Sequence, residues 1–93
     1  MKYHVRLEPR ANRDLDRLRD FLDEVAPEAA RSAARAIRDG INGLAEYPTQ
    51  GAAIGGGRRA LMIPYGNSGY VVQYRVDPGV VVVVRIFHMR EDR

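Results

Sequence analysis

Two valine-rich strands carry side chains that such strands normally leave out. Arg75 lies within Tyr70-Val71-Val72-Gln73-Tyr74-Arg75-Val76, and Arg85 and His88 lie within Val80-Val81-Val82-Val83-Val84-Arg85-Ile86-Phe87-His88. A guanidinium offers a planar fork of N–H donors that fits phosphate or carboxylate oxygens. Anion recognition is therefore the first chemistry suggested. The charge distribution agrees: from Arg58 onward six arginines stand against three carboxylates, so this half holds the net charge of +3 while residues 1–57 are nearly balanced. Fourteen of the fifteen basic residues are arginine, and GC-rich coding accounts for that bias as readily as anion binding does.

Composition removes several other chemistries. Without cysteine there is no disulfide, zinc-thiolate site or thiol nucleophile. Two separated histidines and scattered carboxylates make no ligand cluster, so no metal and no cofactor is expected. No window approaches the roughly 18 apolar residues of a membrane span, and the start MKYHVRLEP lacks the apolar region of a signal peptide. A soluble, cytoplasmic protein with no membrane partner is the expectation. Residues 1–93 are enough for one modest core, hence one domain.

The elements that must position the arginines follow from periodicity. Residues 3–7, Y-H-V-R-L, alternate as a half-buried strand does, with Tyr3, Val5 and Leu7 inward and His4 and Arg6 outward. Pro9 suits a helix start, and Ala11, Leu15, Leu18, Leu22 and Val25 form the apolar stripe of a helix over residues 9–25, with Phe21 at its edge. Ala26-Pro27 breaks that helix and opens a second over residues 27–46, whose stripe is Ala30, Ala33, Ala34, Ile37, Ile41 and Leu44. Gly40 and Gly43 weaken this helix and so are expected where its backbone nears a neighbour. Residues 49–57, T-Q-G-A-A-I-G-G-G, read as a flexible connection. They are no phosphate loop of the Walker type, because they follow a helix and open a strand.

Three strands follow, over residues 58–63, 69–77 and 80–88, joined by Tyr65-Gly66-Asn67-Ser68-Gly69 and by Asp77-Pro78-Gly79. The pattern predicts an α+β fold, β-α-α-β-β-β, with the helical hairpin packed on one face of a small, mainly antiparallel, twisted sheet. In the middle strand Tyr70, Val72, Tyr74 and Val76 share the covered face, while Val71, Gln73, Arg75 and Asp77 share the open one. A tight Pro-Gly hairpin without irregularity would turn Arg85 into the core at a cost of several kcal/mol if unpaired. One extra loop residue or a bulge places Arg85 beside Gln73 and Arg75 instead, and that register is expected. The face occupied by His88 stays open at this point.

Four fragments, in this order, carry a resemblance to a known family: Leu44-x-x-x-Pro48-x-x-Gly51, Arg59-x-Leu61, Tyr70-Val71-Val72-x-Tyr74-Arg75-Val76, and Val83-Val84-Arg85-Ile86-Phe87-His88-x-Arg90-x-Asp92. With the order of elements, they make nearly the whole chain resemble the RelE/ParE superfamily of bacterial toxins. The resemblance implies a toxin of a type II toxin–antitoxin pair, held in a hetero-oligomer by a cognate antitoxin whose disordered tail folds on binding. RelE-like members cleave mRNA in the ribosome, and ParE-like members block DNA gyrase.

Each branch implies roles for the same residues. In a metal-independent endoribonuclease Arg75 and Arg85 would hold the phosphate and His88 would be the acid or base, with Glu46 a weaker base. Arg58, Arg59, Gln73 and Arg90 would contact nucleic acid or the target. Yet Lys2 is the only lysine and no tyrosine follows Tyr74, whereas RelE-type nucleases usually have both near the site. The ending His88-x-x-x-Asp92 looks closer to the ParE branch, in which a binding inhibitor needs a shaped basic surface and no acid–base pair. A gyrase-poisoning toxin is thus expected, with a ribosome-dependent mRNA endonuclease as the alternative and a non-toxic binding module as a third reading.

Overall fold

In the computed structural model the chain runs β1 (His4–Leu7), α1 (Pro9–Val25), α2 (Pro27–Gly43), β2 (Ala52–Gly55), β3 (Arg58–Tyr65), β4 (Ser68–Asp77) and β5 (Val80–His88). Residues 2–91 are described, Val25 by its backbone alone, so its place in the apolar stripe lies outside the description, as do Asp92 and Arg93. The strands form one sheet in the order β1-β5-β4-β3-β2, parallel between β1 and β5 and antiparallel elsewhere. The α+β architecture read from the sequence is present, with one strand added.

That strand, β2, replaces part of the connection expected over residues 49–57. Ala52 and Ala53 pair with Ala60 and Arg59, and after a register shift Gly55 pairs with Arg58. Alanine and glycine have little strand propensity, so only the partner strand makes this segment extended. Gly55, Gly56 and Gly57 then turn the chain at φ of 89°, 62° and 74°, conformations that side chains with a Cβ rarely adopt.

Both helices begin with proline in the first turn, where the missing N–H costs nothing. Their apolar stripes bury Ala11 and Leu18 from α1 and Ala30, Ala33, Ile37 and Ile41 from α2. All but Ala30 join one core with Leu61, Ile63, Tyr70, Val72, Tyr74, Val81, Val83 and Ile86 from one face of the sheet. Phe21, at the stripe's edge, is largely exposed. The second helix stops at Gly43, three residues short of the expected end, and a turn places Leu44 in the core and gives the Ala45 carbonyl to the Tyr3 N–H at 2.8 Å.

Two glycines mark close approaches. A Cβ on Gly40 would stand 2.6 Å from Ile63 Cδ1, so this residue lets α2 settle on β3. Gly43 differs from the expectation, since nothing comes nearer than Gln50 Oε1 at 3.9 Å. At Gly51 a Cβ would lie 2.8 Å from both the Ala60 carbonyl and the Tyr74 hydroxyl, and the Gly51 N–H donates to that hydroxyl at 2.8 Å. The Pro48-x-x-Gly51 fragment thus seats the end of the helical hairpin on a buried tyrosine of β4.

Candidate functional site

The register of β5 decides where the arginines go. Pro78-Gly79 is a two-residue loop, with Gly79 at φ 74° and Asp77 paired to Val80. A tight turn at Pro-Gly is therefore accommodated, and the irregularity comes later. Tyr74 pairs with Val83 and Gln73 with Arg85, leaving Val84 as a bulge. Arg85 stands across from Gln73, as expected.

Its side chain has a partner that the sequence reading overlooked. Strand β1 ends at Leu7, opposite Val83, so the outer edge of β5 beyond that point has no neighbouring strand. Side chains of α1 take the strand's place. Asp14 Oδ2 accepts the Ile86 N–H and Arg85 Nε, both at 2.8 Å. Its other oxygen takes Arg85 Nη2 at 3.4 Å and Arg17 Nη1. Arg17 Nη2 reaches the Ile86 carbonyl at 3.3 Å, and Nη2 and Nε grip Glu91 at 3.1 and 3.2 Å. Glu91 in turn accepts the His88 N–H at 2.8 Å. Two β5 N–H groups and one carbonyl, which an edge strand would leave to water, are satisfied by this Arg85–Asp14–Arg17–Glu91 chain.

The electrostatics follow from burial and pairing. The Asp14 side chain is 4% exposed and that of Arg85 18%. Burial pushes the Asp14 carboxyl up, but the bonds from Arg85, Ile86 and Arg17 outweigh it and hold the group below its ordinary value. Glu91 behaves alike: burial raises it, Arg17 and the His88 N–H lower it further, and the net shift is downward. Arg17 is raised by its bonds to Glu91 and Asp14.

Arg75 lies on the open face, between Val82 of β5 and Arg58 of β3. It donates to Asp77 at 3.1 Å and to Glu8 at 3.5 Å, and the Asp77 bond is the main cause of its raised pKa. His88 pairs with Tyr70, which places it on the covered face, opposite to Arg75. Its ring meets Tyr70 edge-on, with centroids 5.2 Å apart and planes at 84°. Its Nδ1 accepts the Arg90 N–H at 3.1 Å, so in the neutral ring Nε2 bears the proton.

The sequence-predicted residues therefore separate. Arg75 and His88 are five positions apart along the ladder, about 17 Å by strand rise, and on different faces. Arg75 and Arg85 are near neighbours, but one guanidinium turns to Glu8 and Asp77 and the other to Asp14. Gln73 is half-buried beside Arg85. Arg59 faces the helix side and braces the Thr49 and Gly51 carbonyls at 3.3 and 2.7 Å. Arg58 and Arg90 are exposed. Glu46 pairs with Lys2 at 3.6 Å after α2, near the end of the sheet away from His88. No group of three metal-ligating side chains occurs among the described residues.

Asp14 was legible in principle. It falls three residues after Ala11 and four before Leu18, squarely on the buried stripe of α1. A carboxylate there must meet a cation.

Residues 5–93 match the family model described as ParE toxin of type II toxin-antitoxin system, parDE. The chain belongs to the ParE toxin family. It is 43% identical over 89 residues to Toxin RelE3 of Caulobacter vibrioides, covering 96% of this chain and 97% of that one. Toxin RelE1 of the same organism is 37% identical over 93 residues, the full length of both. This ParE-family toxin also shares its fold with a structure from the chromosomal ParDE system of P. aeruginosa, at a TM-score of 0.77 and 23% identity over 94% of this chain and 96% of the other. It is a toxin of a type II toxin–antitoxin system within the RelE/ParE superfamily. None of its described helices is long and apolar enough to cross a membrane.

Proposed function

We propose that this ParE-family toxin arrests growth by binding and poisoning DNA gyrase, and that a cognate antitoxin neutralises it. The observation that carries the reading is the separation of Arg75, Arg85 and His88. Acid–base cleavage of RNA needs a proton-transfer group and phosphate-binding cations around one reacting atom. Here the imidazole and Arg75 occupy opposite faces, and Arg85 is spent on Asp14. A binding inhibitor needs only a shaped surface. Arg75, Arg58, Gln73 and Arg90 are then contact residues, and Arg85 is part of the scaffold that holds β5.

The antitoxin partner is supported by the family and by the ParDE system that supplies the structural neighbour. A furrow between α1 and α2, lined by Leu15, Leu22, Ala30 and Ala34 among others, suits an amphipathic antitoxin segment. Basic side chains on the open face suit its carboxylates.

A supercoiling assay with purified gyrase tests the reading, run with and without protease to release trapped cleaved DNA. Inhibition that the antitoxin reverses is expected. Gyrase that is untouched by toxin still able to stop growth would move the target to the ribosome, the reading that the RelE names of the two curated relatives favour.

A further inference from the structure

Beside its arginines, the open face of the sheet carries an apolar strip. Met62, Val71 and Phe87 are direct partners across β3, β4 and β5 and so form one row. The next row, toward the β3–β4 turn, is Pro64, Gly69 and Met89. Phe87 is buried and Val71 half-buried, while Met62 is 50% exposed, Met89 46%, and Pro64 is exposed. We propose that this strip is a protein-docking surface, and that its occupant is a segment of the toxin's target with an apolar side chain next to carboxylates.

The strip is built into the fold. A Cβ on Gly69 would stand 3.1 Å from Met89 Sδ, so the missing side chain lets the thioether lie over the β4 backbone on the face of Val71 and Met62. The turn that carries Met89 is fixed at several points. Its own N–H donates to the Gly69 carbonyl at 3.0 Å, and the Arg90 N–H donates to His88 Nδ1 at 3.1 Å. Glu91, gripped by Arg17, accepts the His88 N–H at 2.8 Å. A surface ordered before binding loses less free energy on association.

The neighbouring side chains select the partner. Arg90 is exposed beside Met89, and beyond the row of Ala60, Gln73 and Arg85 the same face carries Arg58 and Arg75. An exposed apolar patch with a polar rim marks a protein contact, methionine and arginine are both enriched in interfaces, and an unbranched thioether adapts to its partner's shape. A thioether offers a phosphate no donor, so a protein segment fits better than a nucleic-acid strand. The α1–α2 furrow assigned above to the antitoxin lies in the helical layer, on the other side of the sheet. The inference rests on the proposed gyrase reading only in taking the segment to belong to gyrase.

Surface plasmon resonance of purified gyrase on the immobilised chain tests the surface. Met62→Gln and Met89→Gln remove apolar character without adding charge, Met62→Leu keeps it, and Tyr47→Gln alters an exposed apolar side chain outside the strip. Each of the first two should weaken gyrase binding about tenfold, Met62→Leu less than about threefold, and Tyr47→Gln should change nothing. Affinity for the cognate antitoxin and for a short DNA duplex should be the same in all four. Unchanged gyrase binding in Met62→Gln and Met89→Gln would overturn the surface, as would an equal loss in Tyr47→Gln. Loss of antitoxin affinity alone would make the antitoxin the occupant, and loss of duplex affinity alone would make it nucleic acid; either overturns the proposal. Should the parent chain not bind gyrase, that reading falls by itself and growth arrest on induction is read instead. Arrest lost in Met62→Gln and Met89→Gln but kept in Tyr47→Gln would uphold the surface for another target, and arrest kept in all four would overturn it.

Discussion

Replacing Asp14 by alanine should cost this small domain a large share of its stability. The carboxylate is almost fully buried and serves Arg85, Arg17 and the Ile86 N–H together. Removing it strands a guanidinium that is only 18% exposed and an edge N–H that has no strand to pair with. Breaking a buried pair in this way costs about 3–5 kcal/mol. Partial access of water to Arg85 argues for the lower end, about 3 kcal/mol. A domain of this length has roughly 5–14 kcal/mol in total. Urea unfolding followed by circular dichroism would read the change, as a midpoint lower by about 2 M if the slope is about 1.5 kcal/mol per molar. The melting temperature should fall by roughly 12–24 °C. Asp14→Asn should cost less, because an amide oxygen can still accept the Ile86 N–H. A double cycle with Arg85→Gln should return a coupling of at least about 1 kcal/mol. Unfolding of Asp14→Ala within about 0.5 kcal/mol of the parent, or additivity of the two substitutions, would show that Asp14 does not hold Arg85 and the edge of β5.

Acid should act on the same chain of charges. Asp14 and Glu91 are held below their ordinary values of 3.8 and 4.5, so the unfolded chain binds more protons near those values than the folded one does. Their contribution is complete above about pH 5 and is lost as pH falls through the lowered folded values, and Asp14→Asn should flatten that part of a stability-against-pH curve. Glycines in α2 should divide by their surroundings: Gly43→Ala meets only Gln50 Oε1, at an unstrained 3.9 Å, and should stabilise by up to about 1 kcal/mol in thermal melts, whereas Gly40→Ala forces Ile63 aside and should destabilise. Tyr74→Phe should cost about 1–3 kcal/mol in urea titrations, since it leaves the Gly51 N–H buried without an acceptor.

The helices, the three long strands and even the shift that puts Arg85 beside Gln73 could be read from residue types. Proline opened the helices, apolar spacing gave their faces, and the cost of burying a lone guanidinium selected the bulged register. What escaped reading depended on neighbours distant in sequence. Strand β2 is Ala-Ala-Ile-Gly, which carries no strand signal of its own and becomes extended because β3 lies beside it. The face of His88 depends on a single inserted residue, Val84, whose position within five consecutive valines no periodicity reveals. The role of Asp14 needs the knowledge that β1 stops at Leu7 and leaves the outer-edge N–H of Ile86 without a strand to pair with. Arg85 was thus placed in the right row of the sheet, and its partner was missed.

Poisoning of gyrase, the mode of action proposed above, would stop DNA synthesis before translation, whereas cleavage of mRNA would stop translation first. Pulse-labelling after induction of the chain without its antitoxin tests it most directly, comparing thymidine with methionine incorporation. With gyrase as the target, DNA synthesis should collapse first, with broken chromosomes, while translation continues for a time. Immediate loss of methionine incorporation with cleaved mRNA and intact DNA synthesis would contradict it, and would move the target to the ribosome with groups other than an Arg75–His88 pair at the reacting phosphate.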